Sequence, residues 1–217
     1  MADEIVEPSI IYTQPSEGFW DIPEVAYRGK TANYRLFERM TPAMNQDKLA
    51  GLYGTEKQKG NPHPTDMPLI WAIATRAFEL DGNAQLQDFL KSGFREFPNT
   101  LTRIAYSPSG EDKITHNYRT HDEYSLTANV VGPDDWISNI SDKNLLGYLL
   151  GNDNVTRINQ VSNFINETNT HLWRLNSRPK QKDERVARFD ADGDWLYLGA
   201  DRNPLDESPA FRVLRVD

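Results

Sequence analysis

Apolar residues fall at helical spacing in four stretches of the chain. The first contains Leu69, Ile70, Trp71, Ile73, Ala77, Phe78 and Leu80, with Thr65 or Asp66 to cap it, Pro68 suited to its first turn and Asp81-Gly82 to stop it. So little polar surface remains that this helix is expected to be largely buried. In the second, Leu86, Phe89, Leu90, Phe94 and Phe97 share one face, and it ends before Pro98. Ser141 can cap a third helix running to Leu150 and stopped by Gly151. A fourth is expected from Val155 past Leu172, with Ile158, Val161, Ile165 and Leu172 on one side. Shorter β-prone runs lie at 9–13, 101–106, 113–118, 185–189, 195–201 and 210–216. Residues 18–43 are aromatic but poorly periodic. The stretch 48–64, rich in Gly, Lys and Gln, reads as a long surface loop, and 178–184 as a charged connection. Helices and local hairpins without strand–helix alternation argue an α+β fold rather than a doubly wound sheet.

Composition narrows the function classes. The 217 residues carry 24 Lys+Arg against 32 Asp+Glu, a formal charge of -8. That balance opposes non-specific binding to nucleic acid or anionic membranes, which rewards clustered positive charge. There is no cysteine, so disulfides, zinc–thiolate sites and cysteine nucleophiles are excluded. The longest apolar stretch, 69–74, is too short to span a bilayer, and the acidic start lacks a signal-peptide pattern. A soluble single domain over 1–217 is the expectation.

The C-terminal segment is the most informative. Asp192-Gly193 is a two-residue hairpin signal, a turn that wants positive φ at both positions. Beyond it, Leu196, Leu198 and Ala200 share one face of a strand and suit a core. Tyr197, Gly199 and Asp201 share the other; their mixed chemistry places that face in solvent. A loop containing Pro204 follows. The last strand is anchored by Phe211, Val213, Leu214 and Val216.

Gly193-Asp194-Trp195, the irregular polar-aromatic strand, Arg202-Asn203-Pro204 and the ending Pro-Ala-Phe-Arg-Val-Leu-Arg-Val at 209–216 together resemble one family. It is the variable region of diversity-generating retroelement target proteins. The resemblance covers 185–216. It implies a C-type lectin-like fold, close to the formylglycine-generating-enzyme branch, with helices packed on short antiparallel sheets. N- and C-terminal strands pair in that fold, so 9–13 is expected beside 211–216. The resemblance assigns Trp195, Leu196, Leu198, Pro209, Ala210, Phe211 and Val213 to scaffold. It makes Asp190, Asp192, Asp194, Tyr197, Gly199, Asp201, Leu205, Asp206 and Glu207 the diversified, ligand-facing positions. Asp, Tyr and Gly each follow from an Asn codon by changing adenines, and Leu205 needs both adenines changed. Glu207 does not derive this way, and Ala210 stands where many relatives have Gly. The implied function is a non-enzymatic attachment protein, virion-associated or intracellular, without cofactor. Its partner would be a macromolecule, a protein with a basic patch being favoured by the acids; neither nucleic acid nor membrane insertion is expected.

Two rival patterns compete with this reading. Asp190, Asp192, Asp194 and Asp201 match positions of a calcium loop, but Trp195 stands where the EF-hand needs Gly, so a hairpin turn is the simpler reading. The alternative function is a metal-dependent enzyme using His116, His121, Asp122 and Glu123, with His63 beside Asp66 upstream; imidazole and carboxylate could hold zinc or iron or move protons. Their spacing matches no helical ligand pair. Trp71 and Trp173 fit core positions, whereas Trp20 and Trp136 fit either core or surface.

Overall fold

A computed structural model describes residues 12–13, 18–80 and 83–216. Its strands are β1 (Tyr12–Thr13), β2 (Phe19–Tyr27), β3 (Lys30–Phe37), β4 (His63–Pro64), β5 (Arg103–Tyr106), β6 (Asp112–His116), β7 (Tyr124–Ala128), β8 (Asp135–Trp136), β9 (Thr170–Trp173), β10 (Asp183–Asp192), β11 (Trp195–Arg202) and β12 (Arg212–Arg215). The helices are α1 (Gln46–Gln58), α2 (Met67–Glu79), α3 (Ala84–Arg95), α4 (Asn144–Leu150) and α5 (Val155–Asn166). The fold is α+β. One sheet has the order β1-β2-β3-β12-β4 and the other β7-β6-β5-β10-β11-β9-β8. In the second sheet β9 runs parallel to β11 and the remaining pairs are antiparallel.

The aromatic stretch 18–43 is largely a hairpin. Arg28 and Gly29 turn it with φ of 53° and 69°. Trp20, Ile22 and Val25 on β2 face the core with Ala32, Tyr34 and Leu36 on β3. A register shift between Ile22 and Val25, where Glu24 takes φ 55°, breaks the period-two pattern and hid both strands from the sequence. The C-terminal strand β12 joins this sheet between β3 and β4. The strand beside it is therefore β3, not 9–13. Of that expected strand, Tyr12 and Thr13 pair with β2 at the far side of the same sheet, and 9–11 lie outside the described residues.

Residues expected as a surface loop form α1. The Asn45 side chain accepts from Lys48 N at 3.0 Å and caps it. Its buried stripe is narrow: Leu49, Ala50 and Tyr53 pack with Leu101 and Ala210. For α2 the caps act as the sequence indicates, with Asp66 Oδ1 accepting from Leu69 N at 3.0 Å and Pro68 in the first turn. Most of α2 is buried. The expected stop, Asp81-Gly82, lies outside the described residues. Ser141 does not cap α4, which begins after Lys143 and ends at Gly151 with φ 71°. Helix α5 ends at Asn166, because Glu167 adopts φ 54°. Leu172 and Trp173 thus sit on β9. Leu172 is buried, but Trp173 is 45% exposed, not the core residue that a longer helix would have made it.

Aromatic rings tie the two sheets through the helices. Trp20 stacks on Phe89, Phe89 meets Phe211 edge-on, Phe94 contacts Phe211 and Phe189, and Trp71 stacks on Phe189 at 5.2 Å. Phe189 belongs to β10. The ribbon of β10 and β11 is therefore held from beneath by α2 and α3.

Candidate functional site: the outer face of the β10–β11 ribbon

The β10–β11 ribbon closes with Asp192 opposite Trp195, so the turn residues are Gly193 and Asp194. Only Gly193 has positive φ, at 55°; Asp194 does not. The turn thus lies one residue later than the Asp192-Gly193 signal suggests, and it asks for glycine only at its first position. Leu196, Leu198 and Ala200 point inward and are buried, as the alternation requires. Between Val186 and Arg188 the register shifts: β11 sets Ala200 and Asp201 against the single residue Ala187. This bulge re-aims the end of β11 beside Arg202.

The outward side chains of both strands border a groove of about 590 Å³ that Phe97 and Trp173 also line. Asp190, Asp192, Tyr197, Asp201 and Asp206 all line it. Gly199, opposite Arg188 on β10, does not line it. It is buried, contrary to the expectation that this whole face lies in solvent, because backbone pairs flank it on both sides: β10 and β9. Asp194, Leu205 and Glu207 fall outside the groove. Asp194 is exposed in the turn, Leu205 is 74% exposed on the following loop, and Glu207 forms an ion pair with Lys48 at 2.5 Å.

Arginines share this face with the acids. Arg188 Nε lies 2.7 Å from Asp190 Oδ1, and Arg202 Nε lies 3.0 Å from Asp206 Oδ2. Asp201 Oδ2 accepts from Trp173 Nε1 at 2.8 Å. Burial pushes the Asp190 carboxyl up to about 6, against the pull of Arg188 and Arg202. Burial likewise lowers the Arg188 guanidinium, with Asp190 opposing. The groove is therefore a lattice of both signs rather than an acidic patch. Period two on 185–189 already places Arg188 on the Asp190 side; that signal was available in the sequence.

An aromatic shelf continues the groove across β8 and β9. Trp195 stacks on Trp136 at 4.7 Å and lies parallel to Tyr197 at 5.6 Å. The His171 ring stands edge-on to all three. Trp173 meets Tyr197 edge-on at 5.6 Å. Trp195, expected as scaffold, is 39% exposed and belongs to this surface stack. Leu196, Leu198, Ala210, Phe211 and Val213 are buried, and Pro209 is half-buried.

The histidines of the enzyme reading lie elsewhere, and of these His63 and His121 both contact the Tyr53 ring. His116 is fully buried; its Nε2 donates to Tyr148 O and its Nδ1 accepts from Thr102 Oγ1, both at 2.9 Å, while Thr102 Oγ1 accepts from Met67 N. That tautomer leaves neither nitrogen for a metal, and burial pushes the imidazole down to about 4. His121 is exposed and lies 3.5 Å from Asp122, whose carboxylate is bonded by Tyr53 and Lys57. Glu123 accepts from Arg119 N. His63 packs on Tyr53, away from the Asp66 carboxylate, which serves Tyr27 and Leu69. Among the described residues, no group of three or more His, Asp and Glu side chains is arranged to hold a metal ion. The four calcium-loop aspartates are thus ribbon and turn residues. Also among the described residues, no helix is long and apolar enough to cross a membrane.

No protein-family model, curated protein or solved structure matches this chain.

Proposed function

We propose that this chain is a non-enzymatic binding protein whose outer β10–β11 face takes a macromolecular ligand. On this reading it is a C-type lectin-like variable protein of a diversity-generating retroelement, an attachment factor of a virus or small genome. One observation carries the proposal: β11 and the end of β10 alternate buried apolar side chains with outward polar and aromatic ones. Leu196, Leu198 and Ala200 are buried, while Asp190, Asp192, Tyr197 and Asp201 border one groove. β12 shares a sheet with Tyr12 and Thr13, although its direct neighbours are β3 and β4.

A rigid ribbon presenting varied residues avoids much of the ordering cost that a flexible loop incurs on binding. Tyr197 and Trp173 offer large contact area with few rotatable bonds. A basic protein patch remains the favoured partner. It would meet Asp192 and Asp194, since Asp190 and Asp206 are already opposed by arginine. The metal-dependent enzyme draws no support from the contacts of His116.

The test is genomic. A near-copy of the DNA coding for 185–216 is expected close to the gene, differing only at adenines and lying beside a reverse transcriptase gene. A complete locus without such a template overturns the retroelement reading.

A further inference from the structure

The groove beside the β10–β11 ribbon has two halves that differ in how their charges are met. In one, Arg188 has Asp190 at 2.7 Å, and its guanidinium lies over the Phe97 ring, 5.6 Å from the centroid. Arg202 and Asp206 form a second pair there. A ring, a carboxylate and a guanidinium thus already make one closed set. The other half holds the first two without the third. Trp173 and Tyr197 both line the groove and stand nearly perpendicular, at 84°, with ring centres 5.6 Å apart. Asp192 and Asp201 line it as well. Neither carboxylate has an ion-pair partner among the described residues, and the remaining lining arginine, Arg185, pairs with Asp183.

These groups are accessible and close to one another. Trp173 is 45% exposed, and Asp192 is exposed at the end of β10. The Trp173 indole is held in place by donating to Asp201 Oδ2 at 2.8 Å, a bond that uses one oxygen of that carboxylate. Burial, with Asp192 beside it, raises the Tyr197 phenol. On the adjoining shelf, burial lowers the His171 imidazole against the pull of Asp134 and Asp135. Aromatic faces attract a cation through their quadrupole, and carboxylates at their edge add to that attraction. The kind of cation follows from the acceptors. A quaternary ammonium has no N–H to offer them, and a lysine ammonium is a strongly hydrated point charge. A guanidinium is planar and weakly hydrated; it stacks on a ring while its fork of donors meets a carboxylate. We infer that this half of the groove takes an arginine side chain of a protein partner, its guanidinium seated against Trp173 and Tyr197 and donating to Asp192 and Asp201. The inference rests on the reading of the outer face as a binding surface and names the group it admits; a retroelement origin is not required.

Titration of the isotope-labelled full chain with N-acetyl-arginine amide, followed on the tryptophan indole N–H resonances by NMR, tests it. The Trp173 resonance is expected to shift to saturation at about millimolar probe, while that of Trp71, 1% exposed, stays in place. N-acetyl-citrulline amide, the uncharged isostere, should bind at least about fivefold more weakly, and N-acetyl-lysine amide with a free side-chain amine and tetramethylammonium at least about threefold. Asp192→Asn and Tyr197→Ser, both read on the Trp173 resonance, should each weaken the arginine probe about two- to fivefold. Asp88→Asn, the same charge change at an exposed position of α3, should leave its affinity unchanged. The inference is overturned by a Trp173 resonance that does not move, by citrulline, lysine or tetramethylammonium binding as tightly as arginine, or by parental affinity in Asp192→Asn or Tyr197→Ser. Such a failure leaves the retroelement reading to its own genomic test, and a locus without a template leaves a positive titration standing.

Discussion

On the inward side of the β10–β11 ribbon, Ala187, Phe189, Ala191, Leu196, Leu198 and Ala200 are all buried, and Phe189 lies between Trp71 and Phe94. On the outward side, alternating with them, Arg188, Asp190, Tyr197, Gly199 and Asp201 vary in size, charge and exposure. The two sets share one backbone and one register. Their difference is a matter of what each side chain must match. Inward atoms meet close-packed protein, where a lost methylene leaves a cavity. Outward atoms meet water, ion partners or a ligand, which tolerate exchange. A surface can therefore change its chemistry while the ribbon keeps its geometry, and each variant below tests one side of that division.

The largest effect is expected on the inward side. Phe189→Ala removes a fully buried ring that two other rings contact, and should cost about 3–5 kcal/mol in urea unfolding. A loss under about 1 kcal/mol, the range of ordinary surface exchange, would erase the contrast between the faces.

Asp190 stands between the two regimes, outward but largely covered. Its carboxyl titrates at about 6 in the folded protein against an ordinary 3.8. The folded state thus holds a proton that the unfolded chain has released. Its stabilising contribution is present in full below about 3.8 and lost as pH rises through 6. Asp66, buried and also raised to about 6, adds a slope of the same sign. His116, lowered from 6.5 to about 4, adds the opposite one, with stability present above 6.5 and lost as pH falls through 4. Because these slopes oppose, wild-type stability alone is uninformative. Asp190→Asn isolates one of them: the variant should gain on the wild type by about 1–3 kcal/mol between denaturation curves at pH 4 and pH 7. If the wild type gains instead, the Arg188 ion pair outweighs desolvation, and Asp190 behaves as an ordinary surface acid.

What was legible in the sequence follows the same division. Helix α2 was legible because its apolar density is high and Asp66 and Pro68 mark its start. The inward residues of β11 were legible from strict alternation. Helix α1 was not, since Leu49, Ala50 and Tyr53 make a thin stripe among Gly, Lys and Gln. In β2 the bulge at Glu24 shifted the phase of alternation. Trp173 was misplaced because Leu172 continues the spacing of α5 by coincidence, whereas the break at Glu167 depends on a left-handed residue that many residue types disfavour. On the outer face, five of the nine positions implied by the resemblance converge on one groove: Asp190, Asp192, Tyr197, Asp201 and Asp206. The arginines that neutralise two of them, Arg188 and Arg202, lie two and four residues from their acids, whereas the shelf from Trp136 to Trp173 depends on which distant strands become neighbours, and no local pattern encodes that.

Truly outward side chains should matter little. Tyr197→Ser and Asp192→Asn are each expected within about 0.5 kcal/mol of wild type, with the Tyr197 loss set by its stack on Trp195. Thermal melts of both variants check this. A drop above about 2 kcal/mol, a core-sized cost, in either one would mean the outer face is part of what holds the ribbon.

The smallest effect is expected at Gly199, and its sign is informative. Its φ lies outside the left-handed region, so an alanine is not strained there. An added Cβ would lie 3.5 Å from Asp190 Oδ2 and 3.6 Å from Arg188 O, ordinary contacts. At Gly93 on α3, by comparison, the same atom would fall 2.5 Å from Phe211 Cζ, deep in the core. Replacing a strand glycine by alanine removes freedom from the unfolded chain, worth about 0.5–1 kcal/mol. Gly199→Ala should therefore raise stability by about 0.5 kcal/mol, while Gly93→Ala lowers it by about 1–3 kcal/mol. A destabilised Gly199→Ala would show that the backbone beside Asp190 and Arg188 is packed as tightly as the core, and that this position cannot vary freely.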